Sequence, residues 1–191
     1  FIKDLLFPDF CIYCGVEGQK LCERCLAEIK MPGVCLCPVC SEPTLFGGTC
    51  EKCAASSSLD GVIALFNYRE ERDLLSLSIK QFKYNYVKDL ANGVWKRLFG
   101  KFQMPIVLRE AIVVPVPLHP RRLRERGFNQ SEILAELLAG EKSLKTDSAS
   151  LRRVRYTSQQ ARLSKEGRRG NLTGAFKWLS GRSAPPRASL V

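Results

Sequence analysis

Two stretches of sequence decide the fold of the N-terminal part: CIYCGVEGQKLCERC (residues 11–25) and CPVCSEPTLFGGTCEKC (residues 37–53). Each stretch holds two Cys-x-x-Cys pairs, and each pair sets two thiolates on one tight turn. Two such turns complete a tetrahedral shell of four sulfurs, the shell of a structural zinc ion. We therefore expect about two structural zinc ions. Their ligands are predicted to be Cys11, Cys14, Cys22, Cys25, Cys37, Cys40, Cys50 and Cys53.

The spacing of the pairs is compatible with two connectivities. Seven, eleven and nine residues separate successive pairs. In the sequential arrangement the first two pairs bind one ion and the last two bind the other; in the cross-braced arrangement the first pair joins the third and the second joins the fourth. We favour the sequential one. Cys35, the ninth cysteine, has no partner at this spacing and is expected to be a free thiol near the second site.

Four thiolates close the metal's coordination shell, so the expected role of the zinc is structural. Iron–sulfur ligation is the alternative metal chemistry. Redox exchange is less favoured because four clustered pairs exceed what one thiol exchange needs. The segment is interpreted either as a module that docks nucleic acid or a partner, or as a folded cap on the main domain.

Bulk composition points to an anionic partner. The 191 residues carry a formal net charge of +11 with a pI near 9.4, which favours nucleic acid, a phosphorylated small molecule or an anionic surface. No apolar run approaches the ~20 residues of a membrane-spanning helix. Without a visible secretion signal, paired cysteines indicate a reducing cytoplasm.

The chain is predicted to contain two domains. Residues 1–55 form a cysteine-rich zinc-binding segment that cannot build a core without metal. Residues 60–191 are expected to form an α/β domain. The C-terminal residues 183–191 look like the start of an apolar strand, so we expect the chain to be cut short there.

Hydrophobic periodicity predicts the elements of the second domain. We expect strands at residues 61–68 and 111–116, separated by two helices, and a basic loop followed by a helix at residues 129–139. The first helix carries Leu75, Ile79 and Phe82 on one face; the second carries Val87, Leu90, Ala91, Val94, Trp95, Leu98 and Phe99. The helix at residues 129–139 is expected to begin with Asn129 and Glu132 as a capping box and to bury Ile133, Leu134, Leu137 and Leu138.

The basic loop is the second strong signal. Four arginines and one glutamate lie within residues 121–126, between the end of a strand and the start of a helix. Ligands of α/β sheets bind at the carboxyl ends of strands, and arginine contacts phosphate oxygens in a bidentate manner. We therefore predict a phosphate, pyrophosphate or DNA site. The candidates are Arg121, Arg122, Arg124, Arg126, Gly127, Asn129 and Gln130. Catalysis by His119, the only histidine, is not favoured.

Several motifs together resemble the ComF family. They are the four cysteine pairs, Gln81-Phe82-Lys83-Tyr84, the Pro-Val-Pro-Leu-x-Pro-x-Arg segment running into Arg126-Gly127-Phe128-Asn129-Gln130, and the pattern Arg155-x-Thr157-x-x-Gln160-x-x-Leu163-Ser164. The last continues through Arg168 and Asn171 to Gly174-Ala175-Phe176. These motifs cover nearly the whole chain in the family's order.

The resemblance implies a double zinc ribbon followed by a type I phosphoribosyltransferase-like domain. It also implies a cytoplasmic role in natural competence, acting on incoming single-stranded DNA, with DNA-uptake proteins as possible partners. Residues 117–128 would correspond to the pyrophosphate-binding loop, and residues 152–171 would lie near the mobile loop that covers the site.

One departure from the family pattern leaves enzyme activity undecided. The family's two acidic residues followed by Thr-Thr-Gly, which bind the ribose hydroxyls and the 5′-phosphate, are absent from this sequence. Mg²⁺ with phosphoribosyl pyrophosphate is expected only if the full-length site exists, and the catalytic residues are unknown.

Three functions follow. The first is DNA uptake through single-stranded DNA binding. It is supported by 13 basic against 6 acidic residues over 119–170 and by the interleaved aromatics Phe128 and Tyr156. The second is an amidophosphoribosyltransferase-like enzyme. The third is a zinc-ribbon adaptor between proteins.

Overall fold

The computed structural model describes residues 8–30, 34–66, 74–84, 91–158, 160, 163–179 and 188–190. The chain divides into two compact units, residues 1–105 (unit 1) and residues 106–191 (unit 2). The two domains predicted from the sequence, residues 1–55 and 60–191, meet before residue 60, whereas the two units meet at residue 105. The predicted domains therefore remain a prediction.

Unit 1 is built from short helices. They are α1 (Glu23–Glu28), a 3₁₀ turn (Leu45–Gly47), α2 (Glu51–Ala54), α3 (Leu74–Tyr84), and a π-helical turn (Ala91–Trp95) that continues directly into α4 (Lys96–Lys101). The first predicted helix is confirmed by α3. The second is confirmed over residues 91–101, whereas Val87 and Leu90 lie outside the described residues. No described helix of the chain is long and apolar enough to cross a membrane.

The strand predicted at residues 61–68 is wrong over its described part. Residues 61–66 form only an isolated bridge between Gly61 and Gly48. The amide of Thr49 donates to the carbonyl of Asp60 at 2.7 Å, and the amide of Val62 donates to the carbonyl of Gly47 at 2.9 Å. The first residues of this apolar run therefore hydrogen-bond to the cysteine segment. Beyond the isolated bridge, residues 61–66 pair with no other strand.

The core of unit 1 lies on the π-helical turn and α4. The apolar face predicted for this helix is buried at Ala91, Val94, Trp95, Leu98 and Phe99. The Trp95 ring lies between two others, with centroids 6.3 Å from Phe82 and 6.1 Å from Phe99. These tilted separations are the favoured ones for aromatic pairs.

The first cysteine lobe (residues 8–30) packs on α4. Leu21 and Leu26 are 0% and 6% exposed. Arg97 donates to the carbonyl oxygen of Leu21 and forms an ion pair with Glu23, while Lys101 Nζ donates to the carbonyl oxygen of Leu26 at 2.7 Å. The interpretation as a folded cap therefore fits this lobe.

Unit 2 is a mixture of helices and strands. Its elements are a 3₁₀ turn (Ile106–Leu108), β1 (Ile112–Val114), α5 (Pro120–Arg126), α6 (Gln130–Lys142), β2 (Lys145–Thr146), β3 (Leu151–Arg153), α7 (Lys165–Leu172), β4 (Phe176–Trp178) and β5 (Ala188–Leu190). The strands predicted at residues 111–116 and near the C-terminus are confirmed by β1 and β5.

The strands of unit 2 form two sheets. β1 lies between β2 and β5, and both neighbours are parallel to it, with Val113 opposite Thr146 and Ser189. β3 and β4 pair antiparallel, with Arg152 opposite Lys177. Parallel strands with helices between them confirm an α/β character for this unit, while a type I phosphoribosyltransferase-like fold stays a prediction.

Small side chains seat α6 on the parallel sheet. Ala135 and Ala139 are buried against Val113, with Leu144 packed beside them. The prediction that this helix buries its larger apolar side chains is therefore wrong, because they are only half-buried: Ile133, Leu134, Leu137 and Leu138. Alanine at the contact lets the helix approach the strand closely, and the larger side chains flank the contact.

The predicted basic loop is also wrong, because it contains the helix α5. Pro120 occupies the first turn, where its missing N–H costs nothing. His119 caps the helix, its Nδ1 accepting a hydrogen bond from the amide of Arg121 at 3.2 Å. Gly127, at φ 79°, ends the helix in the left-handed conformation. The N-cap predicted for α6 is confirmed, since Asn129 Oδ1 accepts from the amide of Ser131 at 3.2 Å.

Candidate metal centres and nucleic-acid interface

The first four cysteines form one cluster. Cys11, Cys14, Cys22 and Cys25 bring all their Sγ atoms within 4.8 Å of one another. The first turn closes when the amide of Gly15 donates to the carbonyl of Cys11 at 2.9 Å, and Gly15 adopts φ 73°, which glycine accepts without strain.

The last four paired cysteines form the second cluster. Cys37, Cys40, Cys50 and Cys53 also lie within 4.8 Å of one another. Their first turn has the same form as that of the first cluster, with the amide of Ser41 donating to the carbonyl of Cys37 at 3.0 Å and Ser41 at φ 62°. The sequential connectivity is therefore the one the structure supports.

The spacing of the sulfurs fits zinc. Between the two pairs of each cluster, the Sγ atoms of Cys14 and Cys22 lie 3.6 Å apart, and those of Cys40 and Cys50 lie 3.7 Å apart. A tetrahedral zinc with Zn–S bonds of about 2.3 Å sets its sulfurs about 3.8 Å apart. Cys35 belongs to neither cluster and is a half-buried free thiol in the second cysteine lobe (residues 34–62).

Backbone hydrogen bonds favour ionisation of some of the thiols in each cluster. Burial opposes ionisation of Cys11, but amides that include those of Cys14 and Cys22 donate to its sulfur and lower its pKa to about 6. The amides of Cys40 and Cys50 likewise lower the pKa of Cys37 to about 6. By contrast, burial and then its sulfur neighbours raise the pKa of Cys25.

These opposite shifts show that four thiolates cannot share this space by themselves. A divalent cation removes the conflict, because each sulfur then donates to the metal as a thiolate and its proton is released. The donor set therefore fits two structural zinc ions, with no coordination position left for a reacting water.

In unit 2, a cluster of basic and aromatic side chains surrounds the ring of Tyr156. His119 meets this ring edge-on at 5.3 Å between centroids. The guanidinium carbons of Arg121 and Arg122 lie 4.8 Å and 5.6 Å from the ring centroid. Both distances fall within the range of cation–π contacts. We call these four residues and Arg153 the arginine–tyrosine cluster.

Arg153 was not among the residues singled out from the sequence. Its guanidinium donates to the hydroxyl of Thr157 and lies 5.3 Å from the ring centroid of Phe176. Its Nε is buried without a hydrogen-bond partner. Burial lowers the pKa of Arg153, and the positive charge of Arg122 lowers it further. Two cations are thus held close enough to repel each other.

The other predicted anion ligands hold different positions. Arg126 donates to the side-chain oxygen of Gln130 at 3.2 Å, and Asn129 Nδ2 donates to the carbonyl of Val116 at 3.2 Å. With Gly127, they form the junction between α5 and α6. Arg124 is exposed on α5. Of the predicted set, the structure therefore places only Arg121 and Arg122 against Tyr156.

Hydrogen bonds fix the connection from β3 to β4 that carries Tyr156. The guanidinium of Arg155 donates to the carbonyls of Asn171 at 2.9 Å and Thr173 at 2.6 Å, at the end of α7. Arg168 Nε reaches the carbonyls of Gln160 and Leu163, both at 3.1 Å. These arginines support the backbone on both sides of Tyr156 and do not themselves contact its ring.

We expect the two zinc centres to contribute differently to stability. Cys25→Ser and Cys50→Ser should each lower the zinc content from two ions per chain to about one, as measured by elemental analysis. Cys25→Ser should lower the melting temperature more, because the first lobe buries Leu21 and Leu26 and is hydrogen-bonded to α4, whereas the large apolar residues of residues 34–62 are exposed. Equal destabilisation by both variants would contradict the different attachment of the lobes. One ion in the unsubstituted chain would mean that half of the cysteines are not ligands.

Comparison with known proteins extends over both units. Residues 2–54 match the double zinc ribbon domain. The DNA utilization protein YhgH of Escherichia coli O157:H7 is 30% identical over 184 residues, which cover 91% of this chain and 79% of that protein. Competence protein F of Haemophilus influenzae is 29% identical, over 95% of this chain and 82% of its own. Competence protein ComFC of Bacillus subtilis is 25% identical, over 63% of this chain and 52% of that protein. No solved structure is significantly similar.

The zinc ribbon match includes both four-cysteine clusters, and the likeness to the Escherichia coli protein continues through unit 2. The motifs that suggested a family are therefore accompanied by similarity along nine-tenths of the chain. This chain belongs to the ComF family, which includes competence protein F and the DNA utilization protein YhgH.

Proposed function

We propose that this chain acts in DNA uptake by binding single-stranded DNA through the arginine–tyrosine cluster of unit 2. The observation that carries the proposal is the Tyr156 ring, which is contacted by His119, Arg121 and Arg122. The relatives named for competence and DNA utilization support a role in DNA uptake. The arginine–tyrosine cluster provides the side chains that would bind the DNA.

The Tyr156 ring is suited to stacking on a base. It is 41% exposed although three side chains contact it. An exposed aromatic face binds any base, and such stacking contributes about 1–3 kcal/mol per base. The neighbouring guanidiniums supply positive charge for the phosphates next to a stacked base.

The charge around the ring calls for a polyanion. Burial lowers the pKa of Arg153, and the nearby positive charge of Arg122 lowers it further, so the two cations oppose each other. Among the described residues of unit 2, the one ion pair of this cluster joins Arg121 and Glu125, at 3.3 Å on the surface, where such a pair contributes little. A phosphate backbone would relieve this repulsion and release counterions.

The supporting hydrogen bonds make the cluster preorganised. Arg155 and Arg168 hold the segment that carries Tyr156 before any ligand arrives. Less conformational entropy is then lost on binding. We place this activity in the cytoplasm, where a reducing environment keeps eight paired thiols available for zinc.

Substitutions should separate the charge of the cluster from its stacking. For a fluorescent oligothymidylate measured by anisotropy, Arg121→Ala/Arg122→Ala should flatten the slope of log K against log salt by about 1.4, since each phosphate contact on a single strand contributes about 0.7. Tyr156→Leu should weaken binding by about 5-fold or more with the slope unchanged, because stacking releases no counterions.

The matched control is Arg109→Ala/Lys145→Ala, which removes the same charge at two exposed positions of unit 2. We expect it to change the slope less. If both double variants behave alike, only bulk charge is involved and the cluster is not the interface. Absence of binding by the unsubstituted chain at low salt would overturn the proposal.

A second candidate function is the binding of phosphoribosyl pyrophosphate with Mg²⁺ by a phosphoribosyltransferase-like unit 2. The observation that favours it is the position of residues 115–119, which follow β1 where β1 lies between two parallel strands. Phosphorylated ligands of α/β sheets bind at that end of the strands. The cluster at Arg121 and Arg122 begins immediately afterwards.

Titration calorimetry distinguishes the two functions. If the second applies, the chain should take up phosphoribosyl pyrophosphate in the presence of Mg²⁺, and Arg121→Ala/Arg122→Ala should weaken that uptake. No heat of binding at ligand concentrations up to the millimolar range, ~1 mM for a weak site, would exclude it and leave DNA binding unaffected.

A further inference from the structure

The second cysteine lobe, residues 34–62, exposes all of its large apolar side chains. They are Val34, Leu36, Val39, Leu45, Phe46, Leu59 and Val62. Leu45 is 80% exposed. Soluble monomers rarely expose apolar side chains at this density unless the surface binds something.

The first cysteine lobe has buried apolar residues on both sides of its second cysteine pair, and the second lobe lacks them. It buries Leu21, just before its second cysteine pair, and Leu26, just after it, and the carbonyl oxygens of both accept hydrogen bonds from side chains of α4. The corresponding positions of the second lobe are Thr49 and Ala54, neither of which is buried. The second lobe therefore has no equivalent packing face, and its apolar residues lie elsewhere on its surface.

Backbone hydrogen bonds bring parts of this lobe together, and we call the segments that carry Leu36, Leu45, Phe46 and Val62 the apolar ribbon. The amide of Thr44 donates to the carbonyl of Cys35 at 2.9 Å, which sets Leu36 beside the segment leading to Leu45. The amide of Val62 donates to the carbonyl of Gly47 at 2.9 Å, which sets Val62 beside Phe46.

The conformation of this ribbon is specific. A Cβ on Gly47 would collide with the carbonyl oxygen of Val62, so the close approach requires glycine. Phe46 adopts φ 53°, a left-handed conformation that larger side chains rarely occupy. The ribbon thus holds a strained aromatic residue whose side chain remains exposed.

The charge of the second lobe is opposite to that of unit 2. Residues 34–62 contain Glu42, Glu51 and Asp60 against Lys52, for a net charge of −2. Residues 106–191 contain 17 basic and 7 acidic residues, for a net charge of +10. An acidic apolar surface repels a phosphate backbone and complements a basic apolar one.

We propose that the second cysteine lobe is a docking surface for a partner protein that presents apolar side chains flanked by lysine or arginine. The apolar ribbon supplies the buried contact, and Glu42, Glu51 and Asp60 supply the complementary rim. This role concerns unit 1 and does not rest on DNA binding by unit 2. DNA handling and protein docking are thereby assigned to separate surfaces of the chain.

Selection from a random peptide display library on the full zinc-loaded chain tests the proposal. Selected peptides are then measured against Leu45→Ser/Phe46→Asn, in which asparagine tolerates the left-handed conformation. We expect peptides that combine apolar and basic residues and bind this variant at least about tenfold more weakly. A chain of net charge +11 attracts acidic peptides unspecifically, so a basic consensus can arise only at an acidic surface.

Two further measurements keep the result interpretable. The apolar variant must retain two zinc ions per chain, and its affinity for oligothymidylate should be unchanged. Glu51→Gln/Asp60→Asn keeps the apolar ribbon, so it should weaken peptide binding several-fold at low salt and less at high salt. The proposal is overturned if no peptide discriminates the apolar variant, or if the discriminating peptides are acidic. It is also overturned if the apolar variant loses oligothymidylate affinity, which would make the ribbon a nucleic-acid surface.

Discussion

Repulsion between closely held thiolates is the constraint on which unit 1 depends. Each cluster keeps four sulfurs within 4.8 Å, and in the first cluster backbone amides favour ionisation of Cys11 while burial disfavours that of Cys25. Only a cation allows all four to act together. The first lobe is joined to α4 by Arg97 and Lys101, which donate hydrogen bonds to the carbonyl oxygens of Leu21 and Leu26.

Unit 2 shows the reverse electrostatic situation. Arg121, Arg122 and Arg153 lie around Tyr156 and Phe176, and the burial of Arg153 makes its charge harder to accommodate. The proposed DNA ligand would supply the opposite charge there, as zinc does for the thiolates of unit 1. Zinc completes a closed shell and has a structural role, whereas Arg121 is exposed and Arg122 is half-buried on unit 2. This contrast explains why the functional proposal rests on unit 2 although the cysteines dominate the sequence.

The sequence predicts the parts of this arrangement that depend on neighbouring residues. A Cys-x-x-Cys pair sits on one turn, so all eight ligands could be identified, whereas the connectivity needed the tertiary structure. The clustering of Arg121 and Arg122 was visible. Arg153 was missed because its significance comes from burial and from the approach of Arg122, which no local pattern reveals. The helix α5 was missed because its charges suggested a loop, although Pro120 and Gly127 are the usual start and end signals of a helix.

A different limit applies to burial. The leucines of α6 gave a strong apolar pattern, but Ala135 and Ala139 make the closest contact with the sheet, since their small size permits it. The run after Gly61 has strand-forming composition, yet its first residues bond to the zinc ribbon. The composition of a segment indicates which secondary structure it favours, and the contacts available in the fold decide which one it adopts.

Photo-crosslinking of single-stranded DNA substituted with 5-iodouracil tests the central claim most directly, because this base reacts with an aromatic ring on which it stacks. The account predicts that mass spectrometry finds the crosslink on the tryptic peptide of residues 156–162, at Tyr156. Crosslinks confined to the cysteine lobes, with none on that peptide, would contradict it.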